Sequence, residues 1–93
     1  MSKTLTDQEI STRLNSLEGW SRDGKEILRQ FAFRDFVGAM AFVNAVALRA
    51  EAANHHPDID IRWNKVLLRL STHSAGGLTE SDFELAAKIN ALA

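Results

Sequence analysis

The 93-residue chain predicts an α+β fold: a four-stranded antiparallel sheet with three helices on one face, in the order α-β-β-α-β-β-α. Three observations carry this expectation. Apolar residues recur every three or four positions in three separate stretches, near residues 10–17, 36–50 and 83–89. Between those stretches the pattern changes to alternation, most strictly in Asp58-Ile59-Asp60-Ile61-Arg62-Trp63. Each pair of alternating runs is separated by a short turn signal, Asp23-Gly24 in the first and Asn64-Lys65 in the second, which makes hairpins.

The first helix starts at Thr6, where Thr6-Asp7-Gln8-Glu9 fits a capping box. Ile10, Leu14 and Leu17 form its apolar face, and Gly19 ends it. Trp20 to Arg22 is a brief strand. Lys25 to Phe33 is the next, with Ile27, Phe31 and Phe33 on one parity. Asp35 caps a longer helix running to about Asn54, with a core-facing stripe expected at Phe36, Met40, Val43, Ala47 and Ala50. Ala39, Phe42 and Val46 extend apolar character past that stripe, so this helix is expected to serve both the core and a second subunit.

In the second hairpin Ile59, Ile61 and Trp63 share a face, which makes core packing the default for the Trp63 ring. Val66 to His73 is the partner strand, with Val66, Leu68 and Leu70 opposite in parity to Leu67, Arg69, Ser71 and His73. Gly76-Gly77 breaks the chain. Thr79-Glu80-Ser81-Asp82 then opens the last helix, with Phe83, Ala86, Ala87 and Ile89 inward.

Composition narrows the function classes. Residues 1–93 suffice for one domain, and a chain this short buries only about 60–65% of its unfolded surface, which favours oligomerisation. Cysteine is absent, excluding disulfides, thiolate catalysis and cysteine-held metal centres. Eleven basic residues against twelve acidic ones give a net charge of −1, without the basic footprint of a nucleic-acid or membrane-surface protein. Met1 to Asp7 has no apolar core, so no targeting segment is expected there. The apolar run from Phe36 to Ala53 is interrupted by Gly38, Asn44, Arg49 and Glu51, so no bilayer span is expected and a cytoplasmic protein is.

The chemistry concentrates in one place. All three histidines, His55, His56 and His73, fall within a nineteen-residue stretch that also holds the sole proline, Pro57. Pro57 pushes His56 out of helical geometry, so the long helix must stop and present both imidazoles on an irregular turn. The following hairpin folds back, returning residues near 73 to the edge where residues near 57 begin. Imidazole gives and takes protons near neutrality, and two or three in one cleft supply an acid and a base without a cofactor. Simpler readings compete. Glu51 and His55, four apart, make an end-of-helix ion pair; Asp82, three after Thr79, makes the acidic half of a capping box. Zinc held by the histidines and Glu51 is a further alternative, against which the His55-His56 adjacency lacks the usual i, i+4 spacing.

The spacing itself resembles a known family. Glu51-x-x-x-His55-His56-Pro57, five residues, Trp63, nine residues, His73, eight residues and Asp82 is similar to the signature of the pterin-4a-carbinolamine dehydratases. The runs Ala53 to Asp58, Asn64 to Val66, Leu70 to His73 and Gly77-Leu78-Thr79 also resemble it, and the likeness covers essentially the whole chain. The resemblance implies dehydration of 4a-hydroxytetrahydropterin to quinonoid dihydropterin, in recycling the pterin used by aromatic amino acid hydroxylases. It implies no metal and no organic cofactor. It places catalytic histidines at His55, His56 and His73, and pterin contacts at Asn54, His55 and His56 and at Ser71, Thr72, His73 and Ser74. Glu51, Pro57 and Asp82 become supporting residues. A homodimer or homotetramer is implied as well, and some animal members act as dimerisation cofactors of a homeodomain transcription factor. The chain departs from relatives with an aromatic residue where Ile59 stands, and from those with aspartate in place of Asn54. A non-catalytic interaction protein of the same fold is the rival reading, resting on the broadly apolar second helix.

Overall fold

The computed structural model describes residues 3–93. Its elements are α1 (Asp7–Asn15), β1 (Ser21–Asp23), β2 (Glu26–Ala32), α2 (Phe36–Ala53), β3 (Asp58–Arg62), β4 (Lys65–Leu70), a 3₁₀ turn (His73–Ala75) and α3 (Glu80–Leu92). The strands pair antiparallel in the order β1-β2-β4-β3. The expected α+β arrangement of helices over one face of a four-stranded sheet is therefore the one formed. Val66, Leu68 and Leu70 of β4 lie opposite Phe31, Arg29 and Ile27 of β2, and the apolar members of this face are buried under the helices. The other face carries Asp58, Asp60 and Arg69, and there Arg69 bridges to Asp23 and Glu26.

The helix starts follow local chemistry. Thr6 accepts from the Glu9 amide while the Glu9 carboxylate accepts from the Thr6 amide, the reciprocal capping box its sequence predicts. Asp35 accepts from the Gly38 amide at 2.8 Å and starts α2. Thr79 and Asp82 form the same reciprocal box at α3.

Several element details differ from the expectation. Both hairpin loops shift by one residue: they are Gly24-Lys25, with Gly24 at φ 60, and Trp63-Asn64, with Trp63 at φ 52. Trp63 thereby leaves the strand, and its side chain is exposed rather than packed. Asn64 ties the loop down, donating to the Phe33 carbonyl at 2.8 Å and accepting from the Phe33 amide at 2.9 Å. In α2 the core face is Ala39, Phe42, Val46 and Ala50, rotated from the expected stripe; Phe36 and Ala47 are exposed. Phe42 stacks on Phe31 and Phe33 with ring centroids 4.7 and 4.9 Å apart, which fixes that rotation. In α3 Leu85, rather than Ala87, joins Phe83, Ala86 and Ile89 inside. Among the described residues α2 is the one helix that by length and composition would pass for a membrane helix, with mean hydropathy 1.4 over 18 residues. Its core face packs against the sheet and α3 instead.

Candidate active site

The site begins where α2 ends. Asn54 takes the left-handed conformation (φ 49, ψ 45), which asparagine tolerates better than most residues. The chain doubles back, and the His55 amide donates to the Ala50 carbonyl at 3.1 Å, closing the last turn. Pro57 then leads directly into β3. The turn leaves the two adjacent imidazoles with different surroundings.

The His55 ring points inward. Its Nε2 lies 2.6 Å from Oδ1 of Asp82, a residue with no exposed surface. A buried carboxylate is costly unless its oxygens are supplied with donors. Here the other oxygen, Oδ2, accepts from the Thr79 amide at 2.9 Å and from the Thr72 hydroxyl at 2.8 Å. Thr72 spends its only proton on Asp82, so its 2.8 Å contact with Thr79 is donated by the Thr79 hydroxyl. That leaves the Thr79 oxygen to accept from the Ser81 amide. The Thr72 hydroxyl and the Thr79 amide thus both donate to a carboxylate, which accepts the Nε2 proton of His55. The tautomer is thereby defined: Nδ1 is the ring nitrogen left to exchange a proton.

His56 is largely exposed, with Nε2 2.8 Å from Oε1 of Glu51, itself exposed on the last turn of α2. The ion pair read from spacing between Glu51 and His55 is therefore not formed; Glu51 meets His56. The reason is the left-handed Asn54, which swings residue 55 under the helix and residue 56 alongside it. His73 opens the 3₁₀ turn beyond β4 and is exposed. It lies past the strand because β4 ends at Leu70, after which Thr72 makes only an isolated bridge to Gly77.

These residues line one open cleft of about 280 Å³: Asn54, His55, His56, Asp58, Ser71, Thr72, His73 and Ser74. All seven residues of the two segments expected to contact a ligand are among them. Pro57 connects two lining residues, and Asp82 lies behind the wall, reaching the cleft through His55 and Thr72. Two features escaped the sequence. Asp58 looked like an ordinary outward strand residue, although its place directly after Pro57 was a usable signal. The Thr72–Thr79–Asp82 chain joins residues that strand propensity and capping explain separately. Among the described residues, no group of three or more histidine, aspartate and glutamate side chains is arranged to hold a metal ion.

The whole chain can be placed among known proteins. Residues 3–92 match the family model described as pterin 4 alpha carbinolamine dehydratase. A relative from Acidobacterium capsulatum, named for pterin-4-alpha-carbinolamine dehydratase, is 61% identical over 88 residues, covering 95% of this chain and 96% of its own. The crystal structure of a transcriptional coactivator/pterin dehydratase from Brucella melitensis superposes with a TM-score of 0.95 at 40% identity, covering 98% of this chain and 99% of that one. A pterin dehydratase-like protein identified as a RuBisCO assembly factor in the alpha-carboxysome is more distant, with a TM-score of 0.69 at 28% identity, covering 81% of this chain and 89% of its own. A family match over nearly every residue, together with a relative 61% identical along almost its whole length, makes this chain a member of the pterin 4 alpha carbinolamine dehydratase family, a family of carbon–oxygen lyases.

Proposed function

We propose that residues 1–93 form one dehydratase domain that converts 4a-hydroxytetrahydropterin to quinonoid dihydropterin and water by histidine acid–base catalysis. The observation that carries this reading is the convergence of His55, His56 and His73 on a single cleft, in a chain of this family. One imidazolium gives its proton to the 4a-hydroxyl, which leaves as water when the C4a–O bond breaks. The N5 lone pair closes the N5=C4a double bond, and a second imidazole accepts the N5 proton. His55 is the best-prepared group, because Asp82 fixes its ring and leaves Nδ1 to the substrate. Glu51 orients His56 at the cleft mouth. Hydroxyl and backbone groups at Ser71 and Ser74 offer hydrogen bonds to a flat heterocycle, while Thr72 lines the cleft with its own polar groups committed to Asp82, Thr79 and the 3₁₀ turn.

The reaction would follow a pterin-dependent aromatic amino acid hydroxylase in the cytoplasm, regenerating tetrahydrobiopterin, with no metal or organic cofactor. The working form is a homodimer or homotetramer. Its support is the outward face of α2, where Val37 and Leu48 are each 75% exposed on a helix of high hydropathy. The test is dehydration of chemically prepared 4a-hydroxytetrahydropterin by the wild type and by His55→Ala and His73→Ala. Each variant is expected to lose about 10²–10⁴ in rate, and full activity in both would sink the mechanism.

A second reading is favoured by one observation, that the Brucella melitensis relative is described as a transcriptional coactivator as well as a dehydratase. In that case α2 would pair with a protein partner, and a wild type without dehydratase activity would make that pairing its whole role.

A further inference from the structure

Asp58 is the one accessible carboxylate in a cleft otherwise lined by imidazole, hydroxyl and amide groups. Asp82, the nearby alternative, is fully buried, and both of its oxygens are occupied. Asp58 begins β3 directly opposite Arg69 in the ladder, so a cross-strand ion pair would be its ordinary fate. That pair is not formed. The Arg69 guanidinium lies 3.3 Å from Glu26 and 3.5 Å from Asp23, on the far side of β4. Among the described residues Asp58 enters no ion pair and no side-chain hydrogen bond, although its supplied partner stands across the strand.

We infer that Asp58 is the specificity-determining residue of the cleft, accepting two parallel N–H bonds from the 2-amino-4-oxo pyrimidine edge of a pterin. The inference rests on the substrate class proposed above. That edge presents the ring N3–H and the exocyclic 2-amino group side by side, both donors. A carboxylate is the side chain whose two acceptor oxygens match such a pair. The imidazoles remain free for the opposite end of the ring, where the 4a-hydroxyl and N5 lie. The pyrimidine edge thereby falls to Asp58 and the proton chemistry to the imidazoles. A ligand with a 2-oxo group in place of the 2-amino group would set an acceptor against the carboxylate and be rejected.

The experiment compares the affinities of unreactive pterin and its 2-oxo analogue lumazine for the intact protein, by calorimetric titration, in the wild type and in Asp58→Asn. Wild type is expected to prefer pterin by about 10- to 100-fold, and Asp58→Asn to lose most of that preference. With the true substrate, Asp58→Asn should raise KM strongly and leave kcat within a few-fold. Wild type that binds both ligands equally overturns the assignment, and this arm needs no variant to fold. Equal preference in wild type and variant overturns it too. Wild type that binds neither ligand overturns the pterin reading itself, and the assignment with it.

Discussion

Asp82 shows how much one side chain can be asked to hold. Its two oxygens take donors from three directions: the His55 ring, the Thr72 hydroxyl and the Thr79 amide. Asparagine has the same shape but presents a donor at one end, so one of these partners must be faced with a second N–H. Asp82→Asn is expected to cost about 1–3 kcal/mol and to lower Tm by roughly 4 °C or more for a domain this size. Thr72→Val removes one donor yet leaves the carboxylate on His55. Calorimetry should therefore find both variants destabilised, while the dehydratase rate falls far more in Asp82→Asn. Equal rate losses would deny Asp82 a role beyond folding. Its capping role was legible from the three-residue spacing to Thr79. Its contact with His55 was not, because 27 residues separate them and only the packing of α3 beside the end of α2 closes the gap.

At the scale of elements, the type and order of every helix and strand followed from periodicity, and the errors lie in phase. A period of two cannot distinguish the last residue of a strand from the first of its loop. Trp63 therefore read as an inward strand residue, whereas the hairpin places it at a positive-φ loop position. In α2 nearly every position is apolar, so the periodic signal scarcely points in any direction. The aromatic stack of Phe42 with Phe31 and Phe33 sets the buried face, and that is a tertiary fact. Capping was the most transferable signal, and at α1 it carries a pH dependence. The Thr6 backbone amide, and after it the Thr6 side chain, hold the Glu9 carboxyl below its ordinary value of 4.5. Charged Glu9 thus stabilises the fold above that value, and the contribution disappears as pH falls through the lowered one. Glu9→Gln keeps the geometry without the charge. Its Tm should fall below that of the wild type at neutral pH and match it in strong acid; a gap independent of pH would contradict the assignment.

The whole molecule brings the histidines together by topology. β3 and β4 form a tight hairpin, so the chain leaves the His56 turn and returns to the same sheet edge at Ser71. That convergence was readable before any coordinates, because only a hairpin fits between two alternating runs so closely spaced. The proposed oligomer rests on a surplus of apolar surface alone. Val37, Ala41, Asn44 and Leu48 are all exposed along α2 at spacings of four, three and four, the seam by which one helix meets another. Leu48 is not among the residues that line the cleft, and Leu48→Glu should convert an oligomeric wild type to monomer in light scattering; a wild type already monomeric at micromolar concentration would remove the proposed assembly. One feature of the site reaches beyond catalysis. Because the carboxylate that starts α3 is also the one that holds the imidazole, unwinding of that first turn and release of His55 are a single event. Amide exchange at Thr79 therefore reports how often His55 is released, and on the proposed mechanism a sequence change that frays α3 lowers the dehydratase rate before it unfolds the domain.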